Sequence, residues 1–203
     1  MKLRKIGVVM LALLLAAMVI VPMVSAEKNM AGKIIQTTAS PEQVAKINEL
    51  WGKDITVGEY FTQVSPELLV DMPADIKAQL FKKKWVWPTT QVSGTATQPN
   101  SPLTVPITGM GSLNKRSTLI HFAGMATITG NTPRYMAFTT YLVNSADLVK
   151  ASTSNSGYSV TYLNSDNLWV PDASGSYHTH TTAFSLTPDY DAVPYDSTSM
   201  SWP

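Results

Sequence analysis

The sequence predicts a mainly β protein, an antiparallel β-sandwich of the Ig-like or jelly-roll type preceded by a small helical module and an N-terminal signal helix. Charged residues fall from 16 in residues 27–85 to 10 in the longer stretch 86–203. The second stretch is rich in Ser and Thr interspersed with Val, Ile, Tyr and Phe, a composition that suits strands. The first stretch carries helix-start signals instead, and an apolar segment precedes both.

The first 26 residues have the organisation of a signal peptide. Three basic residues in the first five precede an uncharged run over residues 6–24, and Val24-Ser25-Ala26 supplies the small residues of a cleavage site. We expect cleavage after Ala26, because Pro22 ends the apolar helix just before that site. The alternative is an uncleaved anchor, since about 20 apolar residues suffice to span a bilayer. The expected location is secreted or at the cell surface, with membrane contact only through this segment if it stays uncut.

Composition excludes several classes of function. The chain has no Cys, which excludes disulfides, thiolate metal sites and cysteine nucleophiles and fits a prokaryotic surface protein. Of its 15 Lys and Arg residues, three lie in the signal segment, which leaves 12 against 14 Asp and Glu. Because affinity for a phosphate backbone depends on a basic surface, we expect no nucleic-acid partner.

Residues 27–87 are predicted to form the helical module. Ser40-Pro41-Glu42-Gln43 is a capping box with proline at the first helical position, followed by apolar residues at helical spacing. Thr56 to Glu59 forms a second box, Ser65-Pro66-Glu67 opens a third turn, and a last helix begins at Pro73. The apolar faces are too few for a large core, so we expect the module to pack on the second region or on a partner.

Residues 88–203 are predicted to form the sandwich. No helical crossover pattern lies between the candidate strands, which favours antiparallel pairing. The predicted strands are Thr89 to Thr97, Leu103 to Thr108, Ser117 to Thr129, Arg134 to Val143, Leu148 to Ala151, Tyr158 to Leu163, Leu168 to Val170 and Tyr177 to Thr187.

The chain lacks the common catalytic motifs. It has no Gly-x-Ser-x-Gly elbow, no His-Glu-x-x-His and no phosphate-binding glycine loop. With three His and abundant Ser, no catalytic triad can be nominated. We therefore expect no enzyme. A hydrolase of envelope polymers is kept as an alternative, which would need Asp residues near an aromatic cleft.

The sequence Tyr177-His178-Thr179-His180 is the most specific chemical feature. Residues two apart in a strand point to the same face, so His178 and His180 could coordinate one divalent transition metal, with His121 or an Asp completing the shell. The alternative is that both imidazoles are hydrogen-bonded residues at the edge of the core, since Phe184 and Leu186 share their face. No other cofactor is expected.

Aromatic residues form the second candidate site. Trp85, Trp87, Trp169 and Tyr177 could bind a sugar or a protein, because exposed rings with polar rims suit both. For Trp85 and Trp87 the competing interpretation is an anchor at the joint between the two regions. The sequence as a whole predicts an exported, non-enzymatic surface or secreted binding protein, whose partner is an unknown protein or a cell-envelope polymer.

Overall fold

The computed structural model describes residues 30–88, 107–191, 193–195 and 199–203. The predicted signal segment and the predicted strand from Thr89 to Thr97 lie outside these residues, as does most of the one from Leu103 to Thr108. Within the described part, no helix has both the length and the apolar character needed to cross a membrane.

The first described region contains helices, as predicted, and one strand. Both capping boxes form: the side chains of Ser40 and Thr56 accept from the backbone N–H groups of Gln43 and Glu59, whose own side chains reach back to the cap residues. The elements are β1 (Ile34–Thr38), α1 (Pro41–Leu50), α2 (Val57–Val64), a 3-10 helix (Pro66–Leu69) and α3 (Ala74–Leu80).

The second region folds into strands that form two sheets. The elements are β2 (Ile107–Arg116), β3 (Leu119–Ile128), β4 (Tyr135–Asn144), β5 (Val149–Tyr158), β6 (Tyr162–Trp169), β7 (Gly175–Leu186), β8 (Tyr190–Asp191), β9 (Val193–Tyr195) and β10 (Met200–Trp202). A six-stranded sheet has the order β1-β5-β4-β7-β10, with β8 beside β7, and a four-stranded sheet has the order β6-β3-β2-β9. All pairs are antiparallel except β2 with β9. The predicted antiparallel sandwich is confirmed.

The six-stranded sheet is the middle of three layers. One face packs on the helices through a core that includes Tyr60 and Leu80 together with Tyr141 and Phe184 of the sheet. The other face packs on the four-stranded sheet through two smaller clusters, one around Phe138 and one around Leu142. The helical segment of residues 30–88 therefore shares its core with the sheet. The division of the chain at residue 87 into two domains stays a prediction.

Several predicted strand limits were wrong. Leu148 to Ala151 and the start of Tyr158 to Leu163 are parts of one continuous strand, β5, and Leu168 to Val170 is the end of β6. Residues 152–157, which are polar or glycine, belong to β5 and are buried in the six-stranded sheet, where β1 and β4 flank them. The first region also holds strand β1, and β2 extends to Arg116.

A side chain of α1 completes the edge of the six-stranded sheet. The Asn48 amide donates from Nδ2 to the Val149 carbonyl oxygen at 2.9 Å, and its Oδ1 accepts from the Val149 N–H at 2.8 Å. Strand β1 pairs with β5 only from Gly157 to Thr153, so Asn48 takes the place of a strand residue further along the same edge. Helix α1 is thereby tied to the sheet by a polar contact as well as by its apolar face.

Replacing Asn48 with alanine should lower the free energy of unfolding by about 2 to 4 kcal/mol, because it leaves two backbone groups of the buried residue Val149 without partners. Urea unfolding measures this change. Glu49→Ala on the exposed side of α1 is the matched control and should change stability by no more than about 0.5 kcal/mol. Equal effects of the two substitutions would contradict the role assigned to Asn48.

The two sheets approach closely at a pair of glycines. Gly111 of β2 and Gly124 of β3 are cross-strand neighbours. A Cβ atom added to Gly124 would lie 1.8 Å from Thr140 Oγ1, and one added to Gly111 would lie 2.3 Å from Thr179 Oγ1. The Thr140 hydroxyl forms a hydrogen bond of 2.8 Å with the Thr181 hydroxyl. Hydroxyl side chains of the middle sheet thus occupy the space that side chains at the two glycines would need.

The Gly124→Ala substitution should destabilise the protein by about 1 to 3 kcal/mol, as expected for overpacking. Its cost should be smaller by at least about 1 kcal/mol in a Thr140→Ala background, because the clashing hydroxyl is then gone. A double-mutant cycle with urea unfolding measures this coupling. Strictly additive effects would show that the two residues do not compete for the same space.

Candidate functional site

Strand β7 places the two histidines on the face of the middle sheet that the helices cover. His178 and His180 alternate with Tyr177 and Thr179, and they share their face with Phe184, which lies in the core between the helices and the sheet. His178 is partly exposed, whereas His180 is 2% exposed. The predicted common orientation of the two imidazoles is therefore present.

The two imidazoles meet at their Nε2 atoms. These atoms are 2.9 Å apart, the ring centroids are 4.6 Å apart, and the ring planes are nearly perpendicular at 88°. At this distance one Nε2–H donates to the other Nε2, which fixes complementary tautomers on the pair. Both Nε2 atoms consequently point toward the same region of space.

Trp51, the residue that follows α1, packs beside this pair and contacts two further aromatic rings. The Trp51 ring lies 6.5 Å from the His180 ring and 5.2 Å from both Tyr141 and Trp87. The Trp87 indole N–H donates to the Lys53 carbonyl oxygen at 2.7 Å. The histidines therefore lie beside the junction of α1, the residues after α3 and the middle sheet.

His121 does not join the other two histidines. It lies on β3, where Ile120 and Phe122 point into the sandwich, so His121 points out of the four-stranded sheet. Its Nε2 is 3.4 Å from the Asp166 carboxylate. The expectation that His121 completes a metal shell with His178 and His180 is wrong, because the sandwich separates them. Among the described residues there is no group of three or more His, Cys, Asp or Glu side chains that could hold a metal ion.

The predicted aromatic candidates divide between two places. Trp85 is 6% exposed and stacks on Tyr60 with ring centroids 3.8 Å apart, so it packs in the core between the helices and the sheet. Trp169 and the buried Tyr177 pack together at 5.4 Å at one end of the sandwich, where the Tyr177 hydroxyl donates to the Ala173 carbonyl oxygen. Trp87 packs against Trp51, which in turn lies 6.5 Å from the His180 ring, whereas Trp169 and Tyr177 lie elsewhere.

Several carboxylates of the β region are neutralised by basic side chains. Ion pairs join Lys150 to Asp172 at 2.6 Å and Lys83 to Asp191 at 2.9 Å, and Lys83 also pairs with Asp189. Asp166 lies beside His121, as described above. Carboxylates held in this way serve as charge partners, which gives no support to a paired-carboxylate hydrolase.

The outer face of the four-stranded sheet is a candidate surface that the sequence reasoning missed. Alternate residues of β3 are buried and partly exposed, which separates an inner from an outer side. Met110, Tyr162 and Leu168 on this outer side are each about half exposed, at 46%, 49% and 50%. The outer face comprises Thr108, Met110, Ser112, Asn114, Arg116, Leu119, His121, Ala123, Met125, Thr127, Tyr162, Asn164, Asp166 and Leu168. The period-two alternation from Leu119 to Ile128 is the signal that could have identified it.

A buried pair of phenols lies beneath the aromatic cluster. The Tyr141 hydroxyl donates to the Tyr60 hydroxyl at 3.0 Å, and both rings are fully buried. Burial raises the pKa of Tyr60, Tyr141 and Tyr135, because a phenolate cannot be solvated in the core. Burial likewise raises the pKa of Tyr158 to about 12.

These raised pKa values predict the response to alkaline pH. An unfolded tyrosine ionises near pH 10, whereas a buried one stays protonated, so the stabilising contribution is complete below pH 10 and is lost as pH rises toward the folded pKa. Each buried tyrosine should reduce the free energy of unfolding by about 1.4 kcal/mol per pH unit in that range. Tyr135→Phe should lessen this slope in urea unfolding measured from pH 9 to 11, and an unchanged slope would contradict the assignment.

The fold defines the chain as a β-sandwich protein with a helical layer on one sheet. No family model matches the chain, and no curated protein matches it. Among solved structures it is similar to the crystal structure of the CARDB domain of a Pyrococcus furiosus protein, determined in complex with di-metal ions. The identity is 13%, the match covers 52% of this chain and 98% of that one, and the TM-score is 0.33. This likeness carries no argument about the function of the present chain.

Proposed function

We propose that the chain is an exported, non-enzymatic binding protein that engages a protein partner through the outer face of the four-stranded sheet. The observation that carries the proposal is the half-exposed trio Met110, Tyr162 and Leu168 on that face. Interface cores are enriched in Met and aromatic residues and depleted in charge. The charged side chains of the outer face are Arg116 at one end of β2, Asp166 and, when protonated, its neighbour His121.

Export and surface location form the sequence-based part of the proposal. The basic start, the apolar run and the small residues at Val24-Ser25-Ala26 support a secretory signal. The absence of Cys is compatible with an extracytoplasmic fold that is stabilised by its core rather than by disulfides. A partner on the cell envelope, either a protein or a polymer, would then be within reach of the folded chain.

The geometry favours a protein over a polymer as the partner. A sheet face is broad and gently twisted, so it fits another folded surface better than it encloses a single polymer chain. Of the aromatic residues predicted to bind a sugar, Trp85 and Tyr177 are buried and Trp169 packs against Tyr177, which leaves Tyr162 as the exposed ring of the described outer face.

The test measures binding of the purified full chain to washed envelopes of the source cell. The double substitution Met110→Glu with Leu168→Glu should weaken binding at least about tenfold, or about 1.4 kcal/mol, because it introduces charge at two exposed apolar positions of the face. Protease treatment of the envelopes should abolish binding of the unaltered chain. Release of soluble products from envelope polymers is followed in the same samples, and none is expected.

The matched control is Val70→Glu, which changes a residue that is 58% exposed but lies after the 3-10 helix rather than on the sheet. It should leave binding unchanged, and thermal unfolding of all variants verifies their folding. Equal binding by the double variant and the control would refute the assigned face. Binding that survives protease treatment would indicate a polymer partner instead, and polymer turnover would favour the hydrolase.

A further inference from the structure

The separation of the two histidine nitrogens matches a specific coordination geometry. Imidazole nitrogens bind first-row divalent metals at about 2.0 to 2.1 Å. Two such ligands at a right angle are separated by about 2.9 Å, whereas two ligands at a tetrahedral angle are separated by about 3.3 Å. The observed distance between His178 Nε2 and His180 Nε2 is 2.9 Å, which corresponds to the right angle.

The ring positions agree with the nitrogen distance. If two imidazoles point their Nε2 atoms at one ion from directions 90° apart, their ring centroids lie about 4.5 Å apart. The observed centroid separation is 4.6 Å. Two imidazoles hydrogen-bonded head-on at the same nitrogen distance would have their centroids more than about 5 Å apart. The centroid separation of 4.6 Å therefore excludes a head-on arrangement of the two rings and agrees with rings directed at a point beside the pair.

We propose that His178 and His180 form a two-imidazole site for Cu²⁺, in which the histidines occupy adjacent positions of a tetragonal ion. Right-angle nitrogen ligation is typical of Cu²⁺ and Ni²⁺, and Cu²⁺ binds nitrogen sites most tightly among the divalent first-row ions. In the bound state each imidazole carries its proton on Nδ1 and offers its Nε2 lone pair to the ion. Water occupies the remaining positions.

An ion in solution can reach this site, and its binding can be followed through the fluorescence of a nearby tryptophan. His178 is partly exposed, so an ion in solution approaches the pair next to His178. His180 is buried, and the residues packed around β7 hold its side chain in place. The Trp51 ring lies 6.5 Å from the His180 ring. A bound paramagnetic ion therefore lies close enough to this indole to quench its fluorescence.

The site is independent of the proposed outer face. The histidines lie on the helix-covered face of the six-stranded sheet, and the outer face belongs to the other sheet. Failure of either proposal leaves the other intact.

The experiment titrates the purified full chain with CuCl₂ at pH 7 by calorimetry and records the electron paramagnetic resonance spectrum of the complex. One ion per chain and a tetragonal signal with two equatorial nitrogen ligands are expected. His178→Ala should lower the affinity at least about tenfold, since even loss of a group that only orients a metal ligand costs that much. His121→Ala is the matched control and should leave the affinity unchanged, because His121 lies on the other sheet.

Two further variants separate the loss of metal ligation from other effects of the substitutions. His178→Gln retains the size of the side chain and should lose copper like the alanine variant, which separates lost ligation from lost packing. Trp51→Phe should retain the calorimetric binding but lose most of the copper-dependent quenching. Copper affinity that is the same in the His178 variants as in the unaltered chain would overturn the site. Tighter binding of Zn²⁺ than of Cu²⁺ would overturn the assignment of the ion.

Discussion

Burial of the six-stranded sheet on both faces is the constraint on which the rest of the structure depends. Its central strands carry many hydroxyl side chains, and a hydroxyl removed from water costs free energy unless it is hydrogen-bonded. Thr139 pairs with Ser154 at 2.8 Å, and Thr182 donates to the Val86 carbonyl oxygen at 2.8 Å. Polar contacts as well as apolar clusters therefore stabilise the six-stranded sheet. The helices on one face and the four-stranded sheet on the other must both pack so that these contacts form.

The same constraint explains the placement of the candidate sites. A strand that is covered on both faces leaves little accessible surface, so His180, whose ring lies 6.5 Å from Trp51, is buried and His178 is only partly exposed. Within the described part of the chain, the four-stranded sheet is covered on one face only, which is why Met110 and Leu168 remain half exposed. The proposed metal site and the proposed docking face thus lie on different sheets of one layered arrangement.

Local signals in the sequence predicted local structure well. Ser40 and Thr56 marked helix starts because each supplies a side-chain acceptor three residues before a matching Gln or Glu. The alternation in β7 predicted that His178 and His180 share a face. What local patterns could not predict depends on tertiary contacts. The polar strand β5 is buried because strands flank it and other layers contact its faces, as Asn155 does through its hydrogen bond to the Asn164 carbonyl oxygen of β6. Strand β1 forms by pairing with β5, and the packing of the sheets separates His121 from the other histidines.

The helical segment of residues 30–88 and the six-stranded sheet share one core, so we expect them to unfold as one cooperative unit. Amide hydrogen exchange of the full chain, resolved by peptide, tests it most directly through α2 and β4, which meet at the Tyr60 and Tyr141 hydroxyls. We expect the slowest amides of the two elements to exchange with the same free energy of opening and to respond equally to low concentrations of denaturant. Exchange of α2 at a free energy several kcal/mol below that of β4 would contradict the shared core.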